Sequence, residues 1–127
     1  MHRKFVQAFH VPGTLAADVN IRWTVPSDCQ LVHVSAVSSD ANAFGINIGT
    51  SADTDGFLPK SNAGVSNTPA EFDRDDFTGA LQTYSGDEYP RFNDGDIIVI
   101  EVDYNYNGGG SGAASDDATI VLTFQEG

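Results

Sequence analysis

Cysteine, positive charge and long apolar runs are what this sequence has least of. Its 127 residues include one cysteine, Cys29, so no intrachain disulfide can form and packing alone must hold the fold. The surrounding run Cys29-Gln-Leu-Val-His-Val alternates like a strand, where a free thiol behaves as a small buried hydrophobe. Six Lys and Arg stand against 18 Asp and Glu, for a formal net charge of −12. That balance repels a phosphate backbone, so no direct nucleic-acid partner is expected. It suits a soluble surface and leaves open an acidic face for a basic protein partner. No stretch approaches the ~20 apolar residues of a membrane-spanning helix, so no membrane partner is expected either. The opening "MHRKFVQAFHVPG" is basic, but it lacks the apolar run of about 7 to 15 residues and the small-residue cleavage site of a secretory signal.

What is present is ordinary globular material. With 40% apolar and 19% charged residues, wholesale disorder is not expected. A chain of this length buries roughly two-thirds of its extended surface. Residues 1–127 therefore read as one domain with one core.

Period-2 alternation dominates. In "DVNIRWTV", Val19, Ile21, Trp23 and Val25 share one face, the pattern of a half-buried strand. In "QLVHVSAV", Leu31, His33, Ser35 and Val37 oppose Val32, Val34 and Ala36, which suits a central strand covered on both faces. Alternation returns at Phe44, Ile46 and Ile48, through Ile97 to Val102, and from Ala118 to Phe124. Weaker strands are expected near Phe5 to Phe9, Gly56 to Leu58 and Ala80 to Tyr84. Short strands parted by Gly, Pro, Asn and Asp clusters mark an all-β chain, an antiparallel β-sandwich of jelly-roll type with about eight strands. One segment departs from this. In "NTPAEFDRDDFTG", Thr68 as N-cap, Pro69 at the first helical position and Glu71 three residues after the cap predict a short helix over 69–76, ended by Gly79.

Few groupings suggest chemistry. Asp94-Gly95-Asp96 builds a turn ahead of a strand. Asp53, Asp55 and Gly56 match three EF-hand positions, but Asn62 stands where the bidentate Glu belongs, so an EF-hand is set aside. A looser calcium site on Asp53 and Asp55, or on Glu71, Asp73, Asp75 and Asp76, is an alternative to a solvated acidic loop; no cofactor is otherwise expected. His2, His10 and His33 lack zinc spacing, and no nucleophile elbow accompanies them, so no catalytic residues are assigned. Tyr84, Tyr89, Tyr104 and Tyr106 are candidates for stacking on a sugar or anchoring an interface, against the plainer role of shielding a core edge.

The runs "VNIRWTVPSDCQLVHVSAV", "INIGTSADTDGFL", "NTPAEFDRDDF", "NDGDIIVIEVDY" and "ATIVLTF" together resemble small β-sandwich or jelly-roll virion structural proteins of tailed bacteriophages, especially capsid decoration (cement) proteins. The resemblance implies a non-enzymatic protein on the outer capsid surface of the virion, made in the host cytoplasm. It implies the major capsid protein as partner, and homotrimers. Contact residues do not transfer from such a family, because each capsid sets its own. Candidates here are Arg3 and Lys4 in the segment 1–10, which is either an N-terminal arm or the first strand. Tyr104, Tyr106, Asn107 and Gly108 are the others, at the start of a glycine-rich loop running to Asp117, too long for a simple hairpin and expected either to order on a partner or to be disordered. The competing reading is a carbohydrate-binding module or a tail or fibre accessory β-sandwich.

Overall fold

In a computed structural model, which describes residues 3–77, 89–109 and 112–127, the alternating runs become strands. In chain order they are β1 (Lys4–Thr14), β2 (Val19–Thr24), β3 (Cys29–Val37), β4 (Gly45–Gly49), β5 (Leu58–Asn62), β6 (Ala70–Phe72), β7 (Arg91–Phe92), β8 (Ile97–Asp103) and β9 (Asp116–Glu126). Their ladders are antiparallel and nested: β1 pairs β9, β2 pairs β8, β3 pairs β6 and β7, and β4 pairs β5. One sheet runs β1-β9-β3-β6, the other β2-β8-β4-β5. Rolling up one long hairpin produces this order, the jelly-roll form of the β-sandwich. β7 lies beside Cys29 and Gln30, and β6 beside Val34 to Ala36, on one edge of β3. The nine strands among the described residues thus fill the eight positions that a jelly roll requires.

The core lies between the sheets. Leu31, Val34, Ala36, Ile120, Leu122 and Phe124 from one sheet meet Ile46, Ile48, Leu58, Ile98, Ile100 and Val102 from the other, each no more than 2% exposed. Simple alternation breaks in β3, as it does where β4 pairs β5 and near the end of β1. Leu31 faces inward, but so do Val34 and Ala36, because the register on β9 slips between Leu31 and His33. A bulge adds one residue and flips the faces beyond it. Cys29 is fully buried. Burial first, then the nearby Asp28 and Glu126 carboxylates, push its thiol up to about 11, which leaves it protonated and unreactive at neutral pH.

The helix expected over 69–76 does not form. Ala70–Phe72 is strand β6, and only a 3-10 turn, Arg74–Asp76, follows. Its cap is Asp73 rather than Thr68: Asp73 Oδ1 accepts from the Asp75 amide while Asp76 Oδ2 accepts from the Asp73 amide. The capping signal was real but shifted, because the free edge of β3 satisfies the backbone of Ala70–Phe72 and buries Phe72. Of the two readings of the segment 1–10, its described residues follow the strand: Lys4 begins β1 and the Arg3 carbonyl accepts from the Glu126 amide. The strand expected over Ala80 to Tyr84 lies outside the described residues. The turn at Asp94-Gly95 is as expected: Gly95 has φ of 92°, and Asp96 Oδ2 accepts from the Asn93 amide at 2.8 Å.

At the start of β9, Asp117 has φ of 53°. Its carboxylate accepts from the Gly13 amide at 2.6 Å and from Ser39 Oγ at 2.7 Å. Those bonds, the Gly13 one foremost, hold the carboxyl below its usual range. A pKa depressed by folding adds stability above the unfolded value of about 3.9, and that stability is lost as pH falls through the folded value. Asp117→Asn tolerates the same backbone but lacks the charge. Its urea midpoint is expected below that of the wild type at pH 7, with the gap closing below about pH 4. A gap of constant size across that range would rule out this linkage.

Candidate functional site

The sequence Gly45-Ile46-Asn47-Ile48-Gly49 shapes the outer face of the second sheet. Ile46 and Ile48 point into the core, so Gly45, Asn47 and Gly49 point outward. With glycine at both ends, β4 leaves a trough along this face. At one end, a Cβ on Gly45 would lie 2.7 Å from Cγ of Tyr106, so the tyrosine ring occupies that space. At the other, a Cβ on Gly49 would collide with the Asp53 carbonyl oxygen and come within 2.6 Å of the Thr54 carbonyl carbon. The β4–β5 loop therefore folds back over the sheet. Between them Asn47, 5% exposed, donates through Nδ2 to the Thr54 carbonyl and to Glu101 Oε1, both at 2.8 Å.

Asn47, Thr54, Asp55, Glu101 and Lys60 line a shallow polar depression here. Lys60 crosses it to donate to Asp103 Oδ2 at 2.9 Å, and its ammonium lies 5.0 Å from the centroid of the Tyr106 ring. The Asp103 hydrogen bond is the main cause that raises the Lys60 pKa. This is a fixed cation among carboxylates, able to hydrogen-bond a polar surface. Tyr106 was legible as a candidate, whereas Asn47, Lys60 and Glu101 were not. The signal that could have found them is a polar residue between two glycines on one face of an otherwise apolar strand.

The other candidates have separate places. Tyr104 packs at the edge of the core, its amide donating to Asp18 Oδ1 at 3.1 Å and its carbonyl accepting from the Ser115 amide at 3.0 Å. It shields a core edge. Asn107 works as a staple between loops. Its amide donates to the Ala43 carbonyl at 2.8 Å, its Oδ1 accepts from the Ala43 amide at 2.6 Å, and its Nδ2 donates to the Ala113 carbonyl at 3.2 Å. With φ of 41° at Asn107 and 77° at Gly108, and the Gly109 amide donating to the Tyr106 carbonyl, 106–109 is a tight Asn-Gly turn of the primed type. The described residues of the glycine-rich loop are thus tied down within the chain itself, where the sequence suggested order only on a partner or disorder.

Asp53 and Asp55 do come together. A side-chain hydrogen bond between them, with partial desolvation and the negative charge of Asp55, raises the Asp53 pKa. Among the described residues, no group of three or more His, Cys, Asp or Glu side chains is placed to hold a metal ion. His10 shares a hydrogen bond with Thr119 Oγ1 at 2.8 Å, and His33 Nε2 lies 3.2 Å from Glu71 Oε1.

Arg3 and Lys4 sit far from the trough in the topology, on the side where β1 and β2 form the outer strands of the two sheets. The two strands meet over one ring: Phe124 stacks on Phe5 at 5.1 Å and contacts Trp23 at 5.2 Å. Phe5, Phe9, Val11, Val19, Ile21 and Trp23 touch the core but are only half-buried.

No family model matches this sequence, and no curated protein matches it. Among solved structures, the chain is similar to one titled "Cyanophage Pam1 capsid asymmetric unit", at 15% identity and a TM-score of 0.53, over 99% of this chain and 85% of that one. At this identity the likeness is one of fold, a jelly roll shared across nearly the whole length.

Proposed function

We propose that this chain is a non-enzymatic structural protein of a tailed-phage virion, a decoration protein that binds the outer surface of the capsid as a homotrimer and stabilises it. The observation that carries the reading is the jelly-roll match to a capsid chain over 99% of this sequence. Residues 1–127 would act as one domain. Closed symmetry repeats one modest contact, so avidity makes a firm joint without any large single patch. The polar trough around Lys60 and Glu101 is a built surface with which a capsid subunit could exchange hydrogen bonds.

The carbohydrate-binding reading fits less well. A sugar stacks on a free aromatic face, and the ammonium of Lys60 lies over the Tyr106 ring, while Tyr104 packs against the core.

Co-sedimentation of the purified chain with expanded capsids lacking it tests the proposal. Saturable binding in fixed proportion to the capsid protein, with a raised capsid disruption temperature, is expected. No binding, or glycan binding that is lost in Tyr106→Ala, would overturn it.

A further inference from the structure

The charge of this chain is unevenly placed. Residues 1–25 hold Arg3, Lys4 and Arg22 against Asp18 alone, or +2, which leaves −14 of the total −12 to residues 26–127. Those three cations are exposed on or beside β1 and β2, the outer strands of the two sheets on one side of the sandwich. Among the described residues, the two exposed large apolar side chains lie on or next to these strands, on opposite outer faces of the sandwich. Val6, 62% exposed, is on β1, and Ile97, 52% exposed, lies opposite Thr24 of β2. With the half-buried seam of aromatic and branched residues between the two strands, this side is apolar and cationic.

The far edge of the first sheet is its opposite. There β6 and the 3-10 turn expose Glu71, Asp73, Asp75 and Asp76 around Arg74, and Arg91 of β7 lies further along the same edge. The β1-β9-β3-β6 sheet thus has a cationic edge and an acidic edge, separated by two strands. Two copies cannot join favourably cationic side to cationic side or acidic to acidic, because like charges would meet. Joined cationic side to acidic edge, every copy offers both halves of the contact.

We infer that the β1–β2 side of one copy docks on the acidic β6 edge of a second, so that the chain associates head to tail. At ~3.3 Å per residue the 11 residues of β1 extend about 36 Å, long enough to support the ~800 Å² per partner of a standard interface. The inference rests on the chain's own charges and not on capsid binding, so failure of the capsid assay leaves it standing.

Light scattering of the full chain in about 0.15 M salt, with two charge-reversed variants, tests it. One is Arg3→Glu/Lys4→Glu/Arg22→Glu. The other is Glu71→Lys/Asp75→Lys, which spares the Asp73–Asp76 capping pair. Circular dichroism and thermal melts establish that both variants remain folded. The wild type is expected to self-associate, each variant alone to raise the dissociation constant at least about tenfold, and an equimolar mixture of the two to recover association through complementary edges. A wild type monomeric up to about 1 mM, a folded variant of unchanged mass, or a mixture that stays monomeric would each overturn the inference.

Discussion

Phe124→Ala is expected to melt roughly 10–20 °C below the wild type, as read by calorimetry or circular dichroism. Phe124 is fully buried in β9, and its ring contacts three others: Phe5 at 5.1 Å, Trp23 at 5.2 Å and Phe92 at 6.4 Å. Those rings come from β1, β2 and β7, so one side chain joins both sheets at the end where the strands are outermost. Truncation removes the transfer free energy of the ring and leaves a cavity that flat aromatic neighbours fill poorly. A cost of about 3–5 kcal/mol follows, with further loss from the aromatic pairs, and in a domain of this size that cost sets the expected fall in melting temperature. A fall of only a few degrees would mean that the end of the sandwich collapses onto the gap. Phe124→Leu, which keeps most of the volume, should recover much of the loss.

Gly49→Ala is the second. The added methyl has nowhere to go, since it would meet the Asp53 carbonyl oxygen and the Thr54 backbone, and backbone cannot swing aside as a flexible side chain can. The β4–β5 loop must lift from the sheet. That movement breaks the bond from Asn47 to the Thr54 carbonyl, and it opens the depression whose lining includes Thr54 and Asp55. Overpacking and a broken buried hydrogen bond together should cost roughly 2–4 kcal/mol. The denaturant midpoint would report the cost, and amide exchange would show the loop 50–57 losing protection. Unchanged protection in that loop would mean that it does not rest on β4. The effect should be confined to this face, because Ile46 and Ile48 keep their places in the core.

The strands were legible where one face of each is apolar. Val19, Ile21, Trp23 and Val25, or Ile120, Leu122 and Phe124, can only be buried together if the chain is extended. The exceptions are instructive. The β3 bulge moved Val34 and Ala36 inward, an effect of pairing with β9 that no local pattern contains. The Pro69 segment has a helix-start signal that would have served an isolated peptide, yet an open edge on β3 offered its backbone hydrogen bonds and a burial site for Phe72. Asn107 is exposed, as a residue beside glycines is expected to be, but the sequence does not show its second role. Its use as a staple depends on Ala43 arriving beside it from 64 positions away.

The class of fold could be read along the chain: period-2 alternation calls for strands packed face to face, and a lone Cys29 in such a strand becomes a buried thiol. The nested strand order, the trough over Gly45 and Gly49, and the opposition of a cationic β1–β2 side to an acidic β6 edge come from contacts between distant segments. The reason is physical. Alternation and turn chemistry act between neighbours along the chain, whereas Asn47 and Glu101 meet across 54 positions, and Arg3 and Asp75 occupy opposite edges of one sheet only because β9 and β3 lie between them.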